Sequence, residues 1–322
     1  MIRTIMAAAL ALAVTLPAAP AHAAARDRVF VASYGSDSNP CTFGSPCKTF
    51  QNAVNVVAAG GEVTAIDSAG FGPVTITQSV TITSPAGVEA GIQAAVGGNA
   101  ITINAPGANV TLRGLTLEGA GVAYNGIVFN SGASLTVTDC VVENFAVIAS
   151  TATGNGILIQ PTSGAMNFAI TNSTFSGNAY AGIDYLPPSG SASANGIIDH
   201  VVVANNDNGI QINTTDGGGI TTVAISNSVA SNNYDTGFDI DTESSSLAVS
   251  IDSCNISGNF TGIFNTGTAK ILLGRSVITS NSENGISNGA SNTFYTYLNN
   301  QINLNGSGNA VGGSALSDLG YQ

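Results

Sequence analysis

The sequence predicts a right-handed parallel β-helix, a solenoid of nine or ten coils, on three observations. A short motif, Asn, Thr or Ala followed by Gly and then Ile or Phe, recurs along the chain. A second, corner-like motif keeps a nearly fixed distance from it. Between them the composition is β-branched and turn-rich, with 39 Gly and only 8% charged residues.

The first motif opens a strand at Asn125-Gly126-Ile127, Asn155-Gly156-Ile157, Ala181-Gly182-Ile183 and Asn208-Gly209-Ile210. It continues at Thr236-Gly237-Phe238, Thr261-Gly262-Ile263 and Asn284-Gly285-Ile286. Its glycines are 30, 26, 27, 28, 25 and 23 residues apart, periods that belong to stacked repeats. Helical repeats are excluded, because Gly, Asn and Thr stand where a helix requires Ala, Leu and Glu.

The corner motif reads Ile170-Thr171-Asn172-Ser173-Thr174-Phe175, Ile225-Ser226-Asn227-Ser228 and Leu273-Gly274-Arg275-Ser276. Asn tolerates the left-handed backbone of a tight turn, and alternation then sends Ser173 and Phe175 inward. Ten residues separate Asn172 from Gly182, Asp199 from Gly209, Asn227 from Gly237 and Arg275 from Gly285. This frame places Cys140, Ser173, His200, Ser228, Cys254 and Ser276 in one inward column. The variable stretches, 187–191 and 215–219, follow the glycine strands and mark the rim where binding surfaces grow.

The chain begins with an export signal by pattern: Arg3, an Ala/Leu/Val run from Thr4 to Leu16, and Ala21-His22-Ala23 as the cleavage site. The expected division is 1–23 signal peptide, 24–61 N-terminal cap and 62–322 β-helix. Lys48 to Ala59, with Phe50, Val54, Val57 and Ala58 on one face, is expected to be a capping helix, followed by a first strand over 62–66. No later stretch is apolar enough to span a bilayer, so a secreted or periplasmic location is expected.

Cleavage removes Arg3 and leaves 6 basic against 19 acidic side chains, a net charge of −13. Nucleic acid is excluded as a partner, since it demands a basic footprint. Four cysteines in an exported chain permit disulfides. Cys41 and Cys47 bracket a short turn and are expected to bond. Cys140 and Cys254, four coils apart and about 19 Å distant at the strand spacing, are expected as free core thiols.

Thr49-Phe50-Gln51-Asn52-Ala53-Val54, then Gly60-Gly61, then Gly70-Phe71-Gly72-Pro73-Val74-Thr75-Ile76 resembles the opening of the pectin-lyase-like β-helix superfamily. Within it, the chain resembles bacterial right-handed parallel β-helix repeat proteins over nearly all of its mature length. The resemblance implies the fold. It leaves activity open, since the superfamily includes lyases, hydrolases, epimerases and non-enzymes. The Gly-His-Gly motif of its galacturonate-cleaving hydrolases is not matched by Asp199-His200-Val201, and Asn213-Thr214-Thr215-Asp216-Gly217 departs from their Asn-Thr-Asp-Gly pattern. The Arg or Lys base of its lyases is missing from the expected face, with Lys270 on a different strand row.

Residues two and four past each glycine point outward and form a polar strip, Asp184, Gln211, Asn213, Asp239 and Asp241, bounded by Leu158 and Phe264. Asp184, Asp239 and Asp241 are the catalytic candidates. Asp184 and Asp239 stand two coils, about 9.6 Å, apart, near the upper separation for an inverting glycosidase. Asp239, Asp241 and Asn213 are the candidate ligands of a calcium ion, the one cofactor considered. As a bland alternative the strip is a solvated acidic face that deters association. Gln211, Asn213, Tyr180 and Tyr234 are candidate contacts to a polysaccharide, while Tyr185 alternates inward. Two functions follow: a non-catalytic protein that binds glycan or mediates surface contact, and, as the alternative, a polysaccharide-active enzyme, hydrolase before lyase.

Overall fold

A computed structural model describes residues 26–146, 153–216, 219–243, 246–289, 293–312 and 317–318. The expected signal peptide lies outside the described residues. The chain winds through three strands per coil, and after the first strand, which pairs with the second, strands pair in parallel with the strand three further on. The result is an all-β parallel solenoid of about nine turns, bounded by three sheets. Among the described residues a broad sheet has 12 strands, a sheet of short strands has 10, and the sheet built on the glycine motif has 10. Inward Ile, Val, Leu and Phe fill one continuous core along the axis.

The recurring glycine is required by a close approach. A Cβ on Gly209 would stand 2.4 Å from the carbonyl oxygen of Gly237, and one on Gly126 would stand 2.4 Å from that of Gly156. Any side chain there would force neighbouring coils apart.

At the turn from the short-strand sheet to the glycine strands, Asn178, Asn206, Asn233, Asn259, Asn281 and Asn305 form an internal ladder. Each side-chain Nδ2 donates to the Oδ1 of the next at 2.9–3.2 Å. The ladder satisfies backbone groups that the turn leaves unpaired inside the molecule.

The corner column carries one correction. Asp139, Asn172, His200, Asn227, Ser253 and Arg275 hold the left-handed conformation, with φ from 48° to 57°. Asp199 is the last strand residue, paired with Thr171 and Ser226. His200 therefore points outward, with its Nδ1 2.7 Å from Asp199 Oδ2, and Val201 occupies the inward position beside Ser173 and Ser228. Corner and ladder Asn are six residues apart in each coil from Asn172 to Arg275. The variation falls after the ladder, so spacing measured from the glycine misplaces this corner by one residue. Ser226 and Asn227 also donate to Asp199, and these bonds with His200 hold its carboxyl down at about 2.

The expected capping helix over 48–59 is not supported. Helix α1 runs only over Phe50–Val56, its N-terminus capped by Thr49. Strand β1, Arg26–Val31, and strand β2, Val57–Ala65, are the first two strands of the broad sheet. The β-branched run at the helix end joins the parallel ladder instead of extending the helix. The outer edge of β1 is met by the Cys41–Cys47 loop. Phe30 N donates to Cys41 O, while Cys47 N and Ala32 N bond Phe30 O and Cys47 O. Covering an open edge in this way removes a site for strand addition.

Cys41 and Cys47 are disulfide-bonded, as expected, and Cys140 and Cys254 are buried free thiols. Closing so short a loop stabilises by about 2 kcal/mol. Replacing both Cys41 and Cys47 by Ser is expected to lower the melting temperature and, by freeing the β1 edge, to promote self-association. Thermal unfolding with size-exclusion chromatography tests this; an unchanged profile on both counts would remove the edge-covering role.

Candidate functional site

The outward face of the glycine-strand sheet carries the candidate residues. Register places Leu158, Asp184, Gln211, Asp239 and Phe264 side by side on successive strands. Asn213, Asp241 and Thr266 form a parallel column two residues on. Alternation in the sequence predicts these columns, and the structure brings them together.

Their exposure differs from expectation. Asp184 is 1% exposed, Gln211 7% and Asp239 9%, so the centre of the strip is not a solvated face. Each acid is flanked along the column by bulkier neighbours, Leu158 and Gln211 for Asp184, Gln211 and Phe264 for Asp239. Tyr180, at the turn before its strand, is half-buried and close enough to Asp184 for that charge to raise its pKa. Burial is the larger cause of that rise, and a hydrogen bond with Gln211 opposes it.

Gln211 Nε2 donates to Asp239 Oδ2 at 2.9 Å. The Oδ1 atoms of Asp184 and Asp239 are buried with no hydrogen-bond partner among the described residues. Burial pushes the Asp184 carboxyl up to about 7, with the Asp239 charge adding to it. Burial likewise raises Asp239 to about 7, helped by Asp241 and opposed by Gln211. Asp207, nearby at the turn, is raised by burial and by Asp235. A carboxyl so raised exists in both protonation states near neutrality, which is the property a general acid needs.

The calcium candidates do not present a free ligand set. Asn213 Oδ1 accepts from Thr215 N at 3.0 Å and from its hydroxyl at 2.6 Å, and Asp241 Oδ1 accepts from Thr266. Among the described residues no three His, Cys, Asp or Glu side chains come together to hold a metal ion.

Beside the strip, the ladder turns carry exposed rings. Tyr234 follows ladder residue Asn233 and is 85% exposed; Phe260 follows Asn259 on the next coil and is 45% exposed. With Asn232, Asp235 and Ser282 they line a cleft of about 560 Å3. Tyr234 was legible as a turn aromatic. Phe260 was not singled out, although its place after an Asn that recurs at every turn would have shown it. Tyr185 is in the core, stacked on Phe168 at 5.6 Å.

No protein-family model matches the chain, and no curated protein matches it. Solved structures do. An alginate lyase from Paenibacillus sp. is 13% identical, over 90% of this chain and 99% of that one, with a TM-score of 0.57. XylC, solved with xylose, is 10% identical over 86% of this chain and 70% of its own, at 0.56. Pectate lyase Pel9A is 15% identical over the same shares, at 0.52. Identities this low speak to architecture alone, and with the three-sheet winding they establish that the chain has the pectin-lyase-like parallel β-helix fold.

Proposed function

We propose that this protein is an exported, non-catalytic β-helix that binds a polysaccharide at the ladder turns beside the acidic strip. The observation that carries the reading is the pair of exposed rings. Tyr234 and Phe260 rise from adjacent coils, about 4.8 Å apart along the axis, close to the length of one sugar residue. Aromatic faces supply the apolar platform on which a pyranose stacks, and Asn232, Asp235 and Ser282 supply polar groups at its edges. With Asp235 at the cleft and a net charge of −13 after cleavage, a neutral glycan fits better than a polyanion.

Export agrees with the Cys41–Cys47 disulfide, a bond of oxidising compartments. No helix among the described residues is long and apolar enough to cross a membrane. The division into signal peptide, cap and β-helix at residues 23 and 61 is part of the same proposal.

An enzymatic reading rests on a different observation, the two carboxyls raised to about 7. In it Asp184 and Asp239 are acid and base of a hydrolase, with Asp241 supporting Asp239. Their burial weighs against it, since a group 1% exposed does not touch a bound chain without rearrangement.

Titration calorimetry of the mature protein against neutral and acidic oligosaccharides tests the proposal. Tyr234→Ala is expected to weaken binding up to about tenfold, in keeping with an aromatic contact of about 0.5–1.5 kcal/mol. Affinity unchanged by Tyr234→Ala and Phe260→Ala together would sink the site. Mass spectrometry of the same incubations separates the readings: cleaved fragments that disappear with Asp184→Asn would establish the hydrolase.

A further inference from the structure

A second concave surface lies away from these turns, on the outer face of the broad sheet. Ile197, Ala224, Ser250, Leu272 and Tyr295 stand in register on five successive strands. Asn195, Thr222, Ala248 and Lys270 form the row beside them. The order of sizes makes a trough. Ile197, 53% exposed, walls one end, Leu272 and Tyr295 wall the other, and Ala224, Ala248 and Ser250 form a low floor between them.

The trough has a volume of about 450 Å3 and is lined mainly by apolar atoms, within the range of small-molecule sites. From the Ile197 strand to the Leu272 strand it spans three strand spacings, about 14 Å.

One charge stands at its rim. Lys270 is exposed, and it is the one Lys or Arg among the described residues for which no partner is seen. Arg28, Arg113 and Arg275 pair with Glu62, Asp139 and Asp252, and Arg26 and Lys48 donate to the carbonyls of Pro40 and Ser33. The acids of this face, Asp199 and Asp252, lie at the opposite ends of their strands, engaged by His200 and Arg275. An unpaired ammonium against an apolar floor matches one ligand chemistry: an anion joined to an apolar body.

The geometry points to a binding site for an amphipathic carboxylate, a medium-chain acyl acid whose chain lies along Ala224 and Ala248 and whose carboxylate meets Lys270. The site is separate from the ladder turns, so it neither uses nor requires the glycan reading.

Octanoate and octanol are the probes, titrated into the mature protein and followed by calorimetry and by amide shifts mapped over residues 195–197, 222–224, 248–250 and 270–272. Octanoate is expected to bind saturably, with shifts confined to those strands. Lys270→Gln should weaken octanoate about fivefold, the most an exposed charge pair contributes, and leave octanol unchanged. Ala248→Trp fills the floor from the solvent side and should abolish both. Tyr234→Ala should alter neither. Circular dichroism confirms that each variant is folded. The proposal is overturned if octanoate does not bind the folded protein, or if it binds Lys270→Gln and Ala248→Trp as tightly as the unaltered chain.

Discussion

Asn206→Ala is expected to destabilise the solenoid by about 3–5 kcal/mol. Asn206 Oδ1 accepts from both N and Nδ2 of Asn178 at 3.0 Å, and its Nδ2 donates to Phe175 O at 3.1 Å and Asn233 Oδ1 at 3.2 Å. Truncation takes the acceptor from the buried Asn178 amide and the side-chain donor from Phe175 O, where water has no ready access. Both neighbouring rungs are held by the same atoms, so the loss spreads beyond one coil. Denaturant unfolding should show the drop, and hydrogen exchange should show faster opening of the coils around 175–180 than of distant ones, as expected of a quasi-one-dimensional array. Asn167→Ala, on the exposed face of the broad sheet, should change stability by about 0.5 kcal/mol or less. Equal effects from the two substitutions would mean that the ladder is not what holds the turns.

The second large effect is a pH dependence opposite to that of most acidic proteins. Asp184 and Asp239 are raised in the folded state to about 7, above the unfolded-chain value of about 3.9. Between these values the folded protein holds protons that the unfolded chain has released. Stability is therefore fully present below the unfolded value and falls as pH rises toward 7. Above that it levels off, because both states are then ionised. An elevation of this size corresponds to about 4 kcal/mol for each carboxyl, as an order of magnitude. Asp184→Asn removes one such burden. The variant is expected to be more stable than the unaltered protein at pH 8, by roughly 2–4 kcal/mol, and to lose that advantage at pH 4. Denaturant midpoints across this range measure it. Parallel curves for the two proteins would show that Asp184 titrates as an ordinary carboxylate, and the buried-acid account of the strip would fall.

Much of this architecture was legible because a solenoid repeats its constraints. Gly126 to Gly285 are forced by the same carbonyl approach in successive coils, and the inward Ile, Val and Phe by the same core, so period and alternation expose them. The disulfide was legible from two cysteines bracketing a short turn, and Tyr185 from its inward parity. His200 was misplaced because two constraints compete. Counting back from Gly209 selects Asp199 as the corner, while the ladder Asn206 and the burial of Val201 select His200. The capping helix was overdrawn because an apolar face with 3.6-residue spacing cannot show that Val57–Ala65 has strands on both sides to pair with.

By itself, then, the sequence determined the winding, the direction of alternate side chains and the column in which Asp184, Gln211 and Asp239 stand, since these follow from local periodicity. Only the tertiary structure decided that those acids are buried with unpaired oxygens, that Tyr234 and Phe260 share a cleft and that Lys270 is left without a partner beside an apolar trough. Burial and pairing depend on the neighbouring coil, whose residues lie some two dozen positions away and whose turn lengths vary, so no reading of a single repeat contains them.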